Sequence, residues 1–424
     1  MIKNFLVSLS LLFSIAIFAQ SGTPSPYSYF GIGDVTFKGT VENRLMGGVS
    51  IFPDSTHVNL TNPASFATLK YTSFALGGNA NGTKFKTNFG EDKAKRNTID
   101  YLALGFPIGK KFGGGFGLMP YSSVGYNLET LDGNGYVTNR FSGTGGLNKA
   151  FAALGYNVNS KLSIGFDLQY NFGQISTNSS QYIPGEQILF GSRELNRSDM
   201  SGLTINTGLM YKTKFGKKYD AYASLVYTPK TTLNLSNERN IATIVYSQSA
   251  GEIVVDPQDI DVDDTKLSLP SKVSIGGGFG QVRKWLVGTE ITFSQAGYGN
   301  RFNVLPGETP PAVTHYYTTA QKYSIGGYFI PNYNSYTSYF KKITYRAGLR
   351  YEKTGLVIAD KSIDDMAVSA GFGLPLKGTF SNINIGIEIG KRGTKANGLI
   401  QENYSNISIG LSLNDLWFVK AKYD

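Results

Sequence analysis

The stretch Leu162-Ser-Ile-Gly-Phe-Asp-Leu-Gln-Tyr-Asn-Phe172 alternates large apolar residues with polar or small ones at every position. Successive side chains of a β-strand point to opposite faces of the sheet, so this period of two predicts a strand with one apolar face. The same period returns at 382–389 and at 407–414. The sequence therefore predicts an all-β fold.

Runs of this kind occur fourteen times, near 69–80, 98–109, 112–128, 145–158, 160–176, 199–213, 219–235, 266–281, 284–296, 320–331, 338–352, 363–376, 379–392 and 403–415. Several are 12 to 17 residues long. Strands of globular sheets usually have about 5–6 residues, and a strand needs about 9–11 to cross a membrane. A water-soluble sandwich would alternate in the same way, but the length and even number of the runs are typical of outer-membrane barrels.

The connections between the runs alternate between short and long. The short ones lie at 109–111, 159, 215–218, 283 and 377–378, and the long ones lie near 81–97, 129–144, 177–198, 236–265 and 297–319. Outer-membrane barrels have short periplasmic turns and longer outer loops. We therefore predict a transmembrane antiparallel β-barrel of about 14 strands in the outer membrane, with both chain termini in the periplasm.

The composition agrees with a large barrel. The chain has 51 Gly, 27 Tyr and 27 Phe among 424 residues, and only 17% of its residues are charged. Glycine permits bends and close strand approach, and Tyr and Phe form the interfacial girdles of barrels. The net charge of +10 comes from Lys and Arg scattered over many turns, without a basic helix. Anionic lipids, and not nucleic acid, are the expected partners of this charge.

The first 19 residues predict a cleaved signal peptide. Lys3 supplies the positive region, residues 5–18 are apolar apart from three serines, and small Ala19 precedes Gln20. The alternative is a membrane-anchoring helix, but these 14 residues are short of the roughly 20 that a span needs. The chain has no cysteine, which excludes a lipoprotein anchor, disulfides and thiol chemistry.

Residues 20–66 do not alternate. Four prolines and the pair Gly47-Gly48 break any long strand, yet the segment is rich in apolar residues such as Tyr27, Phe30 and Ile51. That apolar content argues against a disordered periplasmic tail. Barrels of this size are often occluded by such segments. We therefore predict a plug, or hatch, over residues 20–66 and a barrel over residues 67–424.

Several motifs resemble the FadL-type family of outer-membrane transporters of hydrophobic compounds. Three motifs resemble the hatch of that family: Arg44-Leu-Met-Gly-Gly-Val-Ser50, Asp54 and Asn62-Pro63-Ala64. Its kinked third strand is similar to Gly113-Gly114-Gly115-Phe-Gly117 followed by Pro120 and Tyr121. Its later strands resemble 269–280, 285–293, 346–351, 364–365 and 371–375. The likeness touches most of the chain, although each motif is short.

The resemblance implies a 14-stranded barrel whose hatch or gate residues are Gly47, Gly48, Asp54, Asn62, Pro63 and Ala64. It also implies passive transport of hydrophobic small molecules, such as long-chain fatty acids. The stretches 25–34 and 414–418 look like barrels from Bacteroidetes. In that group FadL-like folds also serve as secretion accessories, including the PorV shuttle of the type IX system. A non-transporting accessory of a secretion or surface-assembly complex is therefore the alternative function.

Five charged residues fall on the polar side of predicted strands: Asp167, Glu290, Arg346, Arg350 and Glu388. A charge that faces lipid at mid-membrane costs about 2–4 kcal/mol, so we expect all five to face the lumen. They would form salt bridges that stiffen barrel and plug. In the second interpretation Arg346 or Arg350 binds the carboxylate of a ligand.

Enzyme chemistry is not expected. The two histidines, His57 and His315, fall in the plug and in a long loop, and no feature places either beside an activated serine. Asp259, Asp261, Asp263 and Asp264 resemble the start of a calcium loop, but its sixth position is Asp264 and its twelfth is Pro270. We predict no cofactor and no metal.

The last run ends in an apolar and aromatic stretch that includes Leu411, Leu413, Trp417 and Phe418. It resembles the aromatic terminal strand that the barrel-assembly machinery recognises. That machinery is therefore a predicted partner.

Overall fold

A computed structural model describes residues 22–182, 189–247, 251–297 and 315–416. The predicted signal peptide, Trp417 and Phe418 lie outside the described residues. The barrel strands are β1 (Thr72–Lys86), β2 (Glu91–Ile108), β3 (Phe112–Val124 and Asn127–Leu131), β4 (Val137–Asn157), β5 (Leu162–Tyr182), β6 (Leu189–Phe215), β7 (Tyr219–Thr228 and Thr231–Ser247), β8 (Gly251–Ile260, Thr265–Leu269 and Lys272–Gln281), β9 (Trp285–Ser294), β10 (His315–Tyr317 and Ala320–Phe329), β11 (Thr344–Ile358), β12 (Lys361–Pro375), β13 (Asn382–Arg392) and β14 (Gln401–Asp415).

Each strand pairs antiparallel with the next, and the sheet closes on itself. The closing pair joins β1 to β14, from Thr72 opposite Asp415 to Lys86 opposite Gln401. Each of the fourteen sequence runs corresponds to one strand. The predicted 14-stranded antiparallel barrel is thus confirmed, and closure leaves no continuous open edge through the sheet.

The outer face of the wall is apolar. Ile275, Val287, Ile325, Leu349 and Val368 lie on five adjacent strands, and each side chain is about half exposed. Their neighbours along each strand point inward, as the period of two requires, and apart from Leu286 and Ala367 they are polar or glycine. An apolar outer band of this kind on a closed barrel is the mark of a membrane-spanning protein of the outer-membrane type.

The outer connections differ from the prediction. The strands continue well beyond the predicted runs, so that only residues 87–90 connect β1 with β2 instead of 81–97. Lys84 and Lys86 form ion pairs with Glu91 across this extension. Outside the bilayer both faces of a strand meet water, so the alternation fades from the sequence although the backbone pairing continues. The turn positions near 109–111, 159, 215–218, 283 and 377–378 agree with the structure.

The wall is incompletely paired between β2 and β3. Residues 102–108 of β2 pair with 112–118 of β3, and no pairing between the two strands follows beyond Leu118. There the register of β3 against β4 shifts at Tyr121, and Ser122 and Ser123 pair instead with Val35 and Asp34. The N-terminal segment thus supplies a two-residue strand at a gap in the wall.

Residues 22–71, here called the inner segment, pack against the inward face of the barrel. They contain the helix α1 (Val41–Arg44) and 3-10 helices at Pro26–Tyr29 and Pro63–Thr68. Leu45 and Phe66 pack with strand residues such as Tyr101 and Phe151 in the main apolar core. A second core packs Ile32 against Tyr121, Tyr126 and eight further strand residues. The described residues include no helix that is long and apolar enough to cross a membrane.

Candidate functional site: the inner segment and the lumen

The helix α1 and the turn after it anchor the middle of the inner segment to the wall. Thr40 and Asn43 cap the helix, and the Asn43 amide donates to the Val49 carbonyl at 3.0 Å. Gly47 and Gly48 have φ values of +68° and +92°, which favour glycine. A Cβ on Gly47 would also meet the Leu349 carbonyl oxygen at 2.5 Å. The two predicted hatch glycines therefore allow a tight turn directly against the wall.

Asn62-Pro63-Ala64 anchors the inner segment to the wall near its C-terminal end. Asn62 is fully buried, and its Oδ1 accepts a hydrogen bond from the Ala64 amide at 3.0 Å. Its Nδ2 donates to Ser224 Oγ at 2.9 Å and to the Leu209 carbonyl at 3.2 Å. Asn62 thus caps the 3-10 helix and ties it to strands β6 and β7.

Glycines on the wall let the inner segment approach closely. A Cβ added at these positions would overlap the segment: Gly113 and Gly115 face Phe66, Gly155 and Gly165 face Pro63, Gly208 faces Asn62, Gly276 and Gly288 face Ile51, Gly326 and Gly348 face Met46, and Gly371 and Gly386 face Leu45. These positions run from β3 round to β13. The inner segment therefore contacts the inside of most of the wall.

Charged and polar groups bind the segment to the wall as well. Arg44 forms a buried ion pair with Asp100 at 2.8 Å. Glu290 Oε2 accepts hydrogen bonds from the backbone N–H and the hydroxyl of Ser50 at 2.9 and 2.8 Å. Asn384 donates to Glu42 at 2.7 Å. Such groups are costly to bury without partners, so these contacts oppose any movement that separates them.

All five predicted lumen residues face inward. Asp167 accepts from Asn206 and Gln169, and Glu290 binds Ser50. Arg346 donates to Asn384 at 2.8 Å. Arg350 lies 3.1 Å from Asp365 and 3.7 Å from Glu388. The lumen candidates therefore fall into separate groups around the wall, and only Arg350 and Glu388 interact directly.

Other lumen residues were missed from the sequence. Asp365 and Tyr404 complete the network of Arg350, while Arg392 pairs with Asp34 of the inner segment at 2.6 Å. Asp365 shares the inward face of β12 with Ser369 and Gly371, and the period of two would have found it. Asp34 lies in the segment without periodicity, where no pattern indicates its partner.

The predicted strand-kink residues lie on both sides of the wall. Gly113 and Gly115 face Phe66, whereas Gly114 points away from it, and all three lie in continuous pairing with β2. The register shift begins at Pro120, where the hydroxyl of Thr36 donates to the Pro120 carbonyl at 2.8 Å. The irregularity of β3 therefore follows the glycines by several residues.

Asp54 and His57 form a turn at the surface of the inner segment. His57 Nδ1 lies 2.9 Å from Asp54 Oδ2 and 3.1 Å from the Thr56 hydroxyl, and Nε2 lies 3.6 Å from Glu42. Desolvation opposes ionisation of both groups. Even so, the nearby His57 lowers the pKa of Asp54, and Asp54 and Glu42 raise the pKa of His57.

This cluster lacks the geometry of a nucleophilic triad. Both the hydroxyl of Thr56 and the carboxylate of Asp54 approach the same ring nitrogen of His57. A triad requires them on opposite nitrogens. His315 packs on the ring of Phe30, with centroids 4.7 Å apart. Within the described residues no three His, Asp or Glu side chains are placed to hold a metal ion, and this includes the aspartates at 259–264.

A cavity of about 880 Å³ lies in the lumen between the inner segment and the wall. Its lining mixes charged and polar side chains, among them Asn79, Gln169, Glu290, Arg350 and Glu402, with apolar ones such as Phe37 and Leu60. Other large apolar side chains pack in the cores around Leu45 and Ile32. The open part of the lumen therefore carries many charged and polar groups beside its apolar surface.

Solved structures share this fold. The Pseudomonas putida toluene transporter TodX is 18% identical with a TM-score of 0.59, covering 90% of this chain and 99% of TodX. The Ralstonia pickettii toluene transporter TbuX is 15% identical with a TM-score of 0.57, covering 89% and 99%. A Pseudomonas aeruginosa FadL homologue is 13% identical with a TM-score of 0.56, covering 91% and 99%.

These likenesses confirm the predicted FadL-type fold, at identities that establish the fold alone. No curated protein sequence matches the chain significantly. One family model, described as BamG, matches residues 1–424, which is the whole chain. The chain belongs to the BamG family.

Proposed function

We propose that this chain is a non-transporting, FadL-like accessory of a surface-assembly complex in the outer membrane. Its partner is the barrel-assembly machinery, to which the name of its family points. The alternative of a type IX secretion accessory rests only on the short terminal motifs. The observation that carries the proposal is the lumen: among the described residues, charged and polar side chains are spread all round the lining of its cavity, and large apolar side chains such as Leu45 pack in a core instead.

The physical argument concerns where a hydrophobic molecule would bind. Pockets for such ligands are lined mostly by apolar and aromatic side chains. Here the side chains of that kind pack against one another, and the cavity presents groups such as Glu388 and Arg350. Transfer of an apolar molecule from lipid into this cavity would leave those groups partly desolvated, which costs free energy.

The anchoring of the inner segment supports the same proposal. We propose that residues 20–66 act as a fixed plug, with residues 1–19 removed as a signal peptide and residues 67–424 forming the barrel. Opening such a plug would break the Arg44–Asp100 pair and the Ser50–Glu290 bonds together. Glu290, Arg346, Arg350 and Glu388 then act as structural partners and not as ligand contacts. We assign the side of the short turns, where the last strand ends at Asp415, to the periplasm. The first described residues lie at the opposite ends of the strands, where the Ser25 hydroxyl donates to Glu402 at the start of β14.

Affinity purification tests this proposal. The chain carrying a tag in an outer connection is cross-linked in intact cells and recovered in detergent. Components of the barrel-assembly machinery should be recovered in near-equal amounts with it. A tagged barrel of unrelated function serves as the control. Recovery of the chain alone after cross-linking would contradict the accessory function.

A second candidate is passive transport of hydrophobic small molecules of the fatty-acid class. It is favoured by the gap in pairing between β2 and β3, where Ile99 and Leu118 are exposed. TodX and TbuX, which share the fold, are called toluene transporters. In this candidate the inner segment moves as a gate and opens a lateral path at the gap.

Two measurements separate the candidates. A transporter purified in mild detergent should retain endogenous lipid or another hydrophobic molecule, which mass spectrometry detects. Deletion of residues 24–60 does not distinguish the candidates. It should make an assembled barrel leak small solutes in either case, because fourteen strands enclose more space than their own side chains fill. The second measurement is uptake. Uptake of a hydrophobic probe that depends on the intact chain supports transport, and its absence supports the accessory function.

A further inference from the structure

Four lysines line the lumen cavity: Lys38 of the inner segment, Lys149 of β4, Lys272 of β8 and Lys322 of β10. Lys149 is almost fully buried, with 4% of its surface exposed. The sequence gives no sign of this cluster, because the four residues come from distant parts of the chain. Only the closed barrel and the position of the inner segment bring them together.

The ring of Tyr121 holds two of these ammonium groups in place. Lys38 Nζ lies 3.5 Å from the ring centroid, and Lys272 Nζ lies 5.6 Å from it. Tyr121 itself is buried at the point where β3 changes register. Cation–π contacts of this kind stabilise an ammonium group without neutralising its charge. The two amino groups are therefore held beside each other at the wall of the cavity.

The cluster lacks matching negative charge. In the part of the chain that the structure describes, no carboxylate oxygen lies within 4.0 Å of any of the four ammonium groups. Asp167 is the carboxylate that acts on Lys149 and Lys38, and it hydrogen bonds with Asn206 and Gln169. Gln169 also accepts a long contact of 3.5 Å from Lys149. Asp167 thus acts on Lys38 and Lys149, and Glu352 lies opposite Lys322 on the neighbouring strand, so the three lysines Lys38, Lys149 and Lys272 share one carboxylate.

Burial and the neighbouring lysines both act on Lys38. Desolvation lowers the pKa of Lys38 well below its ordinary value, and the positive charges of Lys272, Lys149 and Lys322 lower it further. An anion bound among these groups would offset the repulsion between the lysines and raise this pKa. Binding would therefore draw a proton to Lys38.

We propose that the lumen cavity binds a phosphoryl anion between Lys38, Lys149 and Lys272, with Lys322 adding to the attraction. A phosphate group carries close to two negative charges near neutral pH and offers three acceptor oxygens, which suits several ammonium donors at once. A single carboxylate would leave more of the positive charge unbalanced. The free anion and the phosphate headgroup of a lipid share this chemistry. This site is independent of the accessory function proposed above.

The test is calorimetric titration of the full-length protein in non-ionic detergent with inorganic pyrophosphate at low ionic strength. The double variant Lys38→Gln/Lys272→Gln should bind at least tenfold more weakly than the parent. The control is Lys110→Gln/Lys111→Gln, which removes the same charge from an exposed turn. It should bind within about twofold of the parent. Both double variants must show the change in gel mobility on boiling that marks an assembled barrel.

Titration in buffers of different ionisation enthalpy supplies a second readout. The parent should take up protons on binding at pH 7 to 8, and Lys38→Gln should take up fewer. If the double variant does not assemble, the single variants Lys38→Gln and Lys272→Gln replace it. If Lys110→Gln/Lys111→Gln weakens pyrophosphate binding as much as Lys38→Gln/Lys272→Gln does, the binding is a general attraction to a basic protein. That result would overturn the proposed site.

Two further ligands identify the source of the anion and its class. Binding of phosphatidic acid in mixed micelles, with no heat from pyrophosphate, supports the site with a lipid headgroup as ligand. Binding of pyrophosphate supports a free anion. Laurate that binds as tightly as pyrophosphate would overturn the phosphoryl assignment, as would the absence of binding by both phosphoryl ligands.

Discussion

Asn62→Ala is the change that best separates a fixed plug from a gate. Asn62 is fully buried and makes three hydrogen bonds, one to Ala64 in the inner segment and two to the wall at Ser224 and Leu209. A buried hydrogen bond contributes a net 0.5–1.5 kcal/mol, so the loss of all three should lower the free energy of unfolding by about 3 kcal/mol. Asn62→Asp keeps the acceptor for Ala64 but places a buried carboxylate against the Leu209 carbonyl oxygen, and it should lower stability at least as much as Asn62→Ala.

The assay is urea unfolding of the refolded protein in detergent, with conductance of the same variants in planar bilayers. A fixed plug predicts lower stability for Asn62→Ala with no increase in conductance before unfolding. The matched control is Asn134→Ala, an exposed residue, which should change stability by less than about 0.5 kcal/mol. Unchanged stability together with raised conductance or raised uptake of a hydrophobic probe would refute the fixed plug and favour a gate.

Three further predictions concern charge and orientation. Arg44→Met should cost about 3–5 kcal/mol because it leaves Asp100 buried without its partner, and adding Asp100→Leu should recover most of this in a double-mutant cycle. The raised pKa of His57 stabilises the fold below its unfolded value of about 6.5, and this contribution is lost as pH rises through the folded pKa. The melting-temperature difference between parent and His57→Gln should therefore shrink from pH 6 to pH 9, and a constant difference would contradict it. Tags near Asp256 should be reachable on intact cells whereas tags near Lys110 or Gly216 should not, and the opposite result would invert the orientation.

The barrel could be predicted because the two-residue alternation of apolar and polar side chains is enough to identify its strands. Alternation such as that of 162–172 fixes which side chains face lipid, and it placed Asp167, Glu290, Arg346, Arg350 and Glu388 on the inward face. The same rule failed for the outer strand ends. Around Lys84 and Glu91 neither face of the sheet meets lipid, so polar residues occupy both faces. Alternation of polar and apolar residues therefore does not predict these strand ends.

The interior could not be predicted in the same way. The inner segment has no period, so the sequence does not indicate that Arg44 meets Asp100 or that Asp34 meets Arg392. These contacts depend on the path of an irregular chain through a closed space. The four lysines of the cavity come together for the same reason. Sequence periodicity therefore predicts the strands of the barrel but not the path of the inner segment within it.

The wall glycines support the proposal that the inner segment and the barrel act as one unit. In the sequence they indicate strand bends, yet Gly165 and Gly348 leave room for the backbone of the inner segment itself. Contacts of backbone on backbone, spread from β3 to β13, must all be broken before the segment can leave as a body. The unpaired stretch after Leu118 has fewer such contacts to lose: residues 34–35 pair with it, Thr36 donates to the Pro120 carbonyl, and Ile32 packs against Tyr121. If any route through this wall opens, it should open there, by release of residues 32–36, while Asn62 and Arg44 hold the rest of the segment in place.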